Sequence, residues 1–314
     1  MSRRVLTRLG PVRRMTAAAL ALVCAACGSG VPTPSAAPSV VARVGTTAIT
    51  AAAFAVRLQS TLTAVGQAGG PSNNAAMTAQ VRASVLRSLL IDTVIAQEAT
   101  AAGVVATEAE VQAQVDADAQ TAGGQSQLQT SLASVGGSLA QLRDEIRSSL
   151  NEQKLEDAFA RQRATEIEQK LSAGTAFTSL ATQYSDDTTA SAKGGSLGTL
   201  PRAQVQGEDP TYAAAVLALK PGQHTDPPVR DAQGYDIVEL DASTASTLTL
   251  RHIIVDAPQP YTVKERPGWF GEAIFESLAQ DCAAGQIHIY IGNVGDDPCA
   301  AASASPSPRG TPAP

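Results

Sequence analysis

Residues 164–206 read ATEIEQKLSAGTAFTSLATQYSDDTTASAKGGSLGTLPRAQVQ, and the chain runs on through AAAVLALKPGQHTDPPV (213–229) and GYDIVEL (234–240). Apolar residues recur first at helical and then at alternating intervals. This predicts a helix, a second short helix around Phe177 to Tyr184, a Gly-rich turn, a helix around Tyr212 to Leu219, and two strands. Pro221-Gly222 makes a turn before the strands, and Gly234 makes the hairpin between them. Helices followed by paired strands define an α+β domain. Gly194-Gly195-Ser196-Leu197-Gly198 leads to Pro201 rather than to a helix start, which argues against a phosphate-cradling loop.

Upstream the pattern is helical. Val41-Ala42-Arg43-Val44-Gly45 and Ala48-Ile49-Thr50 read as two short strands about a turn, with Thr50 capping a helix that carries Phe54 and Leu58 on one face. Val81, Val85, Leu89 and Ile95 mark a helix from about Ala79 to Ala102, and Gly103 ends it. Thr107-Glu108-Ala109-Glu110 is a capping box opening another helix, with Val111 and Val115 inside. Leu142, Ile146, Leu150 and Leu155 line a further helix from Leu139 to about Leu171, stopped at Gly174. Residues 41–163 are therefore a mainly helical domain. Downstream, Pro267 to Ala284 reads as an amphipathic helix with Phe270, Ile274 and Leu278 inside, followed by the alternating Ile287-His288-Ile289-Tyr290-Ile291. Residues 257–300 are expected to cap the sheet, and 301–314 (AASASPSPRGTPAP) to be a disordered tail.

The segments VARVGTTAITAAAF (41–54) and VRASVLRSLLIDTVIAQEATAAGVVATEAEV (81–111) resemble, in order, the N-terminal chaperone domain of the SurA- and PrsA-like extracytoplasmic foldases. Residues 164–256 resemble the parvulin family of peptidyl-prolyl isomerases. The likeness rests on Ala-Gly-x-x-Phe-x-x-Leu-Ala, Tyr-Ser-Asp-Asp, Gly-Gly-x-Leu-Gly, Leu-Lys-Pro-Gly and Gly-Tyr-x-Ile-Val, in this order and spacing. The resemblance implies a small antiparallel sheet with helices and catalysis of Xaa-Pro isomerisation. Rotation about that amide faces a barrier of about 18–20 kcal/mol. A pocket that grips the ring and desolvates the carbonyl lowers it without a covalent step. By the same resemblance the ring cup falls on Leu197, Val205 and Tyr212, and Asp187 stands near the substrate carbonyl. On the residues alone, the first three read equally as core and Asp187 as a cap for the following turn.

Two departures stand out. Parvulins begin with a strand reading Arg/Ser-His-Ile-Leu-Val, which here comes last, as Leu250-Arg251-His252-Ile253-Ile254-Val255. A hairpin from Val238 to Ile253 would return His252 to its usual place, which makes the domain a circularly permuted parvulin; otherwise this is a separate strand with an unrelated histidine. Asp236 stands where the family has its second histidine, so a pair of imidazoles becomes a His–carboxylate pair that favours imidazolium. Thus His252, Asp187 and Asp236 are the expected catalytic residues, and isomerase activity is conditional on that change. His224 and His288 read as solvated.

The N-terminus has five arginines and no acid in its first 26 residues, then an apolar run from Met15 to Val23 and Ala25-Ala26-Cys27-Gly28-Ser29. It resembles a bacterial lipoprotein signal (1–26), with Cys27 as the lipid anchor and 27–40 as a flexible linker. An ordinary secretory signal is the alternative. Cys282 and Cys299 are then expected to pair as a disulfide, contributing about 3 kcal/mol. Without the signal, 18 basic residues face 29 acidic ones, an excess that argues against nucleic acid. The chain is 44% hydrophobic but only 4% aromatic, so its Ala-rich cores favour packed helices. No metal or cofactor is expected. The sequence thus reads as a foldase anchored by lipid on the extracytoplasmic face of a bacterial membrane. Its expected partners are newly exported, unfolded polypeptides containing Xaa-Pro. A non-catalytic chaperone using a degenerate parvulin domain to bind peptide is the competing reading. A hydrolase finds no G-x-S-x-G elbow or metal-spaced histidines to support it.

Overall fold

A computed structural model of the protein describes residues 39–67, 75–259, 266–292 and 299. Cys27 lies outside the described residues, as do the signal and the C-terminal tail. The turn at Gly45 (φ +55°) folds β1 (Val40–Val44) back onto β2 (Thr47–Thr50). Thr50 Oγ1 then accepts from the Ala53 N–H at the start of α1 (Ala51–Gln67). Next come α2 (Ala75–Ala101), α3 (Glu108–Ala122), α4 (Gln125–Ser134) and α5 (Leu139–Ser172). The capping box at Thr107 forms as the sequence predicts: Thr107 Oγ1 accepts from Glu110 N–H, and the Glu110 carboxylate accepts from Thr107 N–H. Helix α4 carries no strong period and was not legible in the sequence.

Helix α5 runs unbroken for 34 residues, about 50 Å, so the boundary read at 163/164 falls inside a continuous helix. Ile146 packs with Val111 and Val115, and Leu155 enters the core shared by α1 and α2. Beyond it, Ala160, Ala164 and Ile167 pack on the second sheet. One rigid element therefore serves both halves.

That sheet is built from β3 (Ser196–Pro201), β4 (Gln223–His224), β5 (Val229–Arg230), β6 (Gly234–Ser243) and β7 (Thr247–Asp256). The order is β3-β7-β6-β4, with β5 also paired to β6. Between α5 and the sheet's later strands lie α6 (Phe177–Tyr184), α7 (Thr188–Ser191), α8 (Arg202–Gln206) and α9 (Pro210–Ala218). Alternation along the strands sorts the side chains. Tyr235, Ile237, Ile253 and Val255 face α5 and α6, whereas Val238, Leu240, Leu248 and Leu250 face Val205 on α8 and Val216 on α9. The α+β class is as expected, but the Gly-rich segment read as a turn continues directly into strand β3.

The C-terminal elements correct one expectation. Helix α10 (Gly268–Ala283) buries Phe270, Ile274 and Leu278 in the core of α1 and α2, and β8 (Ile287–Ile289) pairs with β1. The segment therefore caps the N-terminal sheet. The reason is the buried β1, whose edge opposite β2 needs a backbone partner: Ala42 pairs with Ile289 and Val44 with Ile287. A Cys282–Cys299 disulfide ties the end of α10 to the following segment. Among the described residues no helix is long and apolar enough to cross a membrane.

Candidate functional site

The site forms where β6 and β7 run antiparallel. Thr244 closes their turn, its Oγ1 accepting from Ser246 and Thr247 N–H. The resulting register sets Val238 opposite His252 and Asp236 opposite Ile254. Asp236 and His252 are thus diagonal neighbours on the α8/α9 face. Strand β7, which carries His252, is the last of its sheet in sequence and lies between β3 and β6.

His252 is 8% exposed and Asp236 4%. His252 Nδ1 lies 3.2 Å from Asp236 Oδ2, and Nε2 lies 3.1 Å from Asp187 Oδ2. Asp187 also caps α7, its Oδ1 accepting from Thr189 and Ala190 N–H at 2.8 and 2.9 Å. Thus the capping role read from the residues and the site role implied by the resemblance belong to two oxygens of one carboxylate. Its segment is held against β7, because Asp186 N–H donates to Ile254 C=O and Ser185 Oγ accepts from Ile254 N–H.

Gly195 supplies the other support. Its φ is +85°, and its carbonyl accepts from His252 N–H at 2.8 Å. The backbones approach so closely that a Cβ there would lie 2.6 Å from the His252 carbonyl oxygen. A glycine is therefore required on two independent grounds.

Burial by itself pulls the His252 imidazole down, but the Asp236 and Asp187 carboxylates outweigh it and hold His252 above its ordinary value. Asp187 is held low, first by Ala190 N–H and further by His252. Burial raises Asp236 despite its bond to His252. His252 and Asp236 therefore titrate as a coupled pair, with Asp187 the more accessible of the two carboxylates. Asp236 Oδ1 is buried without a hydrogen-bond partner.

Leu197, Val205 and Tyr212 all pack with the cluster on this face. Val205 is buried, while Leu197 and Tyr212 keep partial exposure. Burial raises the Tyr212 phenol, and the Asp236, Asp231 and Glu208 carboxylates raise it further. Thr225, not singled out by the sequence reading, bonds the rear of the site: its Oγ1 accepts from Val238 N–H and its N–H donates to Val238 C=O. Ser185 and Asp186 were visible inside Tyr-Ser-Asp-Asp, but only pairing with β7 reveals what they do. His224, read as solvated, is partly buried with Nε2 3.7 Å from Glu168 Oε1, whereas His288 is exposed.

A second acid group lies where α5 crosses the sheet. Glu156 is 1% exposed and Oε2 has no hydrogen-bond partner. Burial, with Asp157 and Asp256 adding to it and Arg230 opposing, raises its carboxyl to about 7; burial, Asp186 and Asp187 raise Asp256 to about 6. An acid raised on folding stabilises the protonated native state below its unfolded value, and that stabilisation is lost as pH rises through the folded value. Stability is therefore expected to fall between about pH 4.5 and 7. Glu156→Gln should raise Tm at pH 8 by about 3 °C and flatten this slope, as differential scanning calorimetry would show. An unchanged slope would remove Glu156 as its source.

An antiparallel sheet with helices on both faces and a buried imidazole at its centre, joined through α5 to a helical domain, is the architecture of a parvulin-type peptidyl-prolyl isomerase domain on a SurA-like support. Comparison with known proteins agrees. The PPIC-type PPIase domain matches residues 139–242, and the SurA-like N-terminal domain matches residues 12–156. Over these two stretches the chain is similar to the parvulin-type, SurA- and PrsA-like foldases. The first match ends before β7, so the strand carrying His252 falls outside it.

Foldase protein PrsA 2 of Listeria innocua is 35% identical over 85 residues, which are 27% of this chain and 28% of that protein. The same protein of Listeria monocytogenes serotype 4b has the same identity and coverage. The aligned stretch thus spans little more than a quarter of these relatives. Among solved structures, the peptidylprolyl isomerase PrsA of Bacillus anthracis is 21% identical with a TM-score of 0.24, covering 66% of this chain and 99% of its own. Foldase protein PrsA of Streptococcus pneumoniae is 14% identical with a TM-score of 0.29, covering 80% and 95%.

Proposed function

We propose that the protein is an extracytoplasmic foldase, held at the membrane through Cys27, that binds newly exported unfolded polypeptides and catalyses isomerisation of their Xaa-Pro bonds. The observation that carries the reading is His252 bridging Asp187 and Asp236 beside a partly exposed cup of Leu197 and Tyr212 over Val205. In this reading the cup takes the prolyl ring. Asp187, ionised and partly exposed, faces the substrate amide as its carbonyl turns out of conjugation. His252 positions Asp187, and Asp236 holds the imidazole from behind. No covalent bond forms; the pocket favours the twisted amide over either planar isomer.

Binding without catalysis is the second reading. What favours it is Asp236, whose carboxylate replaces the family's second imidazole. Magnetisation exchange between cis and trans Xaa-Pro peptides, with the full-length chain at catalytic concentration, separates the two. Acceleration is expected, with at least tenfold loss in Leu197→Ala and in Asp187→Ala. No acceleration by folded wild-type protein would leave only the binding role.

A further inference from the structure

We propose that the cleft over His252 selects bonds in which a basic residue, lysine or arginine, precedes the proline, and that Glu208 and Asp231 set this preference. The proposal rests on the isomerase or peptide-binding reading of this face and names its substrate class.

Strand parity sorts the charged side chains of β6 and β7 between the two faces of the sheet. On the α8/α9 face His252 is the sole basic side chain that β6 and β7 supply, and its charge is already matched by Asp236 and Asp187. The sheet's arginines face the other way. Arg230 bonds Asp157 on α5 at 2.9 Å, and Arg251 bonds Asp241 at 2.7 Å with Glu239 at 3.4 Å.

More carboxylate is added at the rim. Val229 pairs with Asp236, and Asp231 follows directly on the end of β5. Its Oδ1 is held by Gln233 and Gly234 N–H in the turn. Helix α9 packs across β5, and Asp209 caps it by accepting from Thr211 and Tyr212 N–H. Glu208, just before that cap, is exposed and makes no ion pair among the described residues. Asp231 and Glu208, like Asp236, act electrostatically on the Tyr212 phenol.

The nearby cations do not cancel this charge. Arg202 is turned toward the Thr244 carbonyl and Lys193 is exposed on the approach to Gly194. Asp236, 4% exposed with Oδ1 unpartnered, keeps the floor of the cup an acceptor. A side chain that precedes proline extends from the cup to the rim, where an ammonium or guanidinium meets carboxylates and a second carboxylate is repelled.

The test is a series of Ala-Xaa-Pro-Phe peptides with Xaa lysine, arginine, alanine, leucine or glutamate, presented to the full-length chain. Both kcat/KM and the dissociation constant from peptide chemical shifts are read. Lysine and arginine should exceed glutamate by about tenfold at low ionic strength and by less than threefold in 0.5 M NaCl. Glu208→Gln should halve the preference on a logarithmic scale, Glu208→Gln with Asp231→Asn should abolish it, and Glu208→Asp should retain it. Glutamate equal to or better than lysine, or a preference that survives in a folded double variant, overturns the proposal. Should no peptide be turned over, isomerisation fails while the ranking of dissociation constants still decides the preference.

Discussion

Replacing His252 with leucine is expected to lower the stability of the protein by about 3–5 kcal/mol, because it leaves the Asp236 carboxylate buried with no partner on either oxygen. The loss belongs to the orphaned charge more than to the missing ring. Hence Asp236→Leu added to His252→Leu should recover most of it, since a matched apolar pair replaces the buried ion pair at little cost. Urea denaturation of the two single variants and the double variant measures the coupling directly. A cost below about 1 kcal/mol for His252→Leu would mean that Asp236 is not held as a buried partner. Wild-type stability should also carry a pH signature. His252 is raised, so its contribution is fully present below about pH 6.5 and is lost as pH rises through its higher folded value. Loss of His252 therefore changes folding together with turnover, and Asp187, partly exposed, is the cleaner probe of chemistry.

Gly195→Ala should be comparably severe, at about 3 kcal/mol or more, although it adds a single methyl group. An alanine at φ +85° bears about 1–2 kcal/mol of local strain. In addition its Cβ would sit 2.6 Å from the His252 carbonyl and 2.9 Å from Ala181 Cβ, so β3 and β7 must separate. Gly198→Ala is the control. It has φ +75° with nothing within 4 Å, so it should show the local strain alone. The difference between the two, read by denaturant unfolding, isolates the close approach; equal costs would deny it. The His252 side-chain nitrogen shifts should move in Gly195→Ala and stay in place in Gly198→Ala.

These two positions show how legibility divides. Gly195 stands inside Gly-Gly-Ser-Leu-Gly, a motif that announces itself, yet nothing local says which strand its carbonyl must meet. His252 lies 14 residues beyond the end of Gly-Tyr-x-Ile-Val (234–238) and comes after the segment it serves. Its pairing follows from the alternation of Gly234 to Leu240 and Leu250 to Val255, since a register off by one would turn Val238 and Ile253 to the wrong faces. The Asp187 cap and the capping box at Thr107 are local hydrogen bonds and could be read directly. Helix α4 and the short strands β3 and β4 could not, because their patterns are too brief for periodicity to separate.

The C-terminal segment illustrates the same limit. Phe270, Ile274 and Leu278 specify an amphipathic helix and its inner face, but an apolar face carries no address. The nearer sheet was the natural expectation; the uncovered edge of β1 took it instead. By itself the sequence determined the helical and α+β halves, the apolar faces, the caps, and the residue types of the site, all of which depend on interactions within a few positions of the chain. Only the tertiary structure decided that one helix serves both halves, that α10 and β8 return to the N-terminal sheet, and that His252 bridges Asp236 and Asp187. Those outcomes depend on which distant edges and faces remain to be covered, a free-energy choice made by the whole fold.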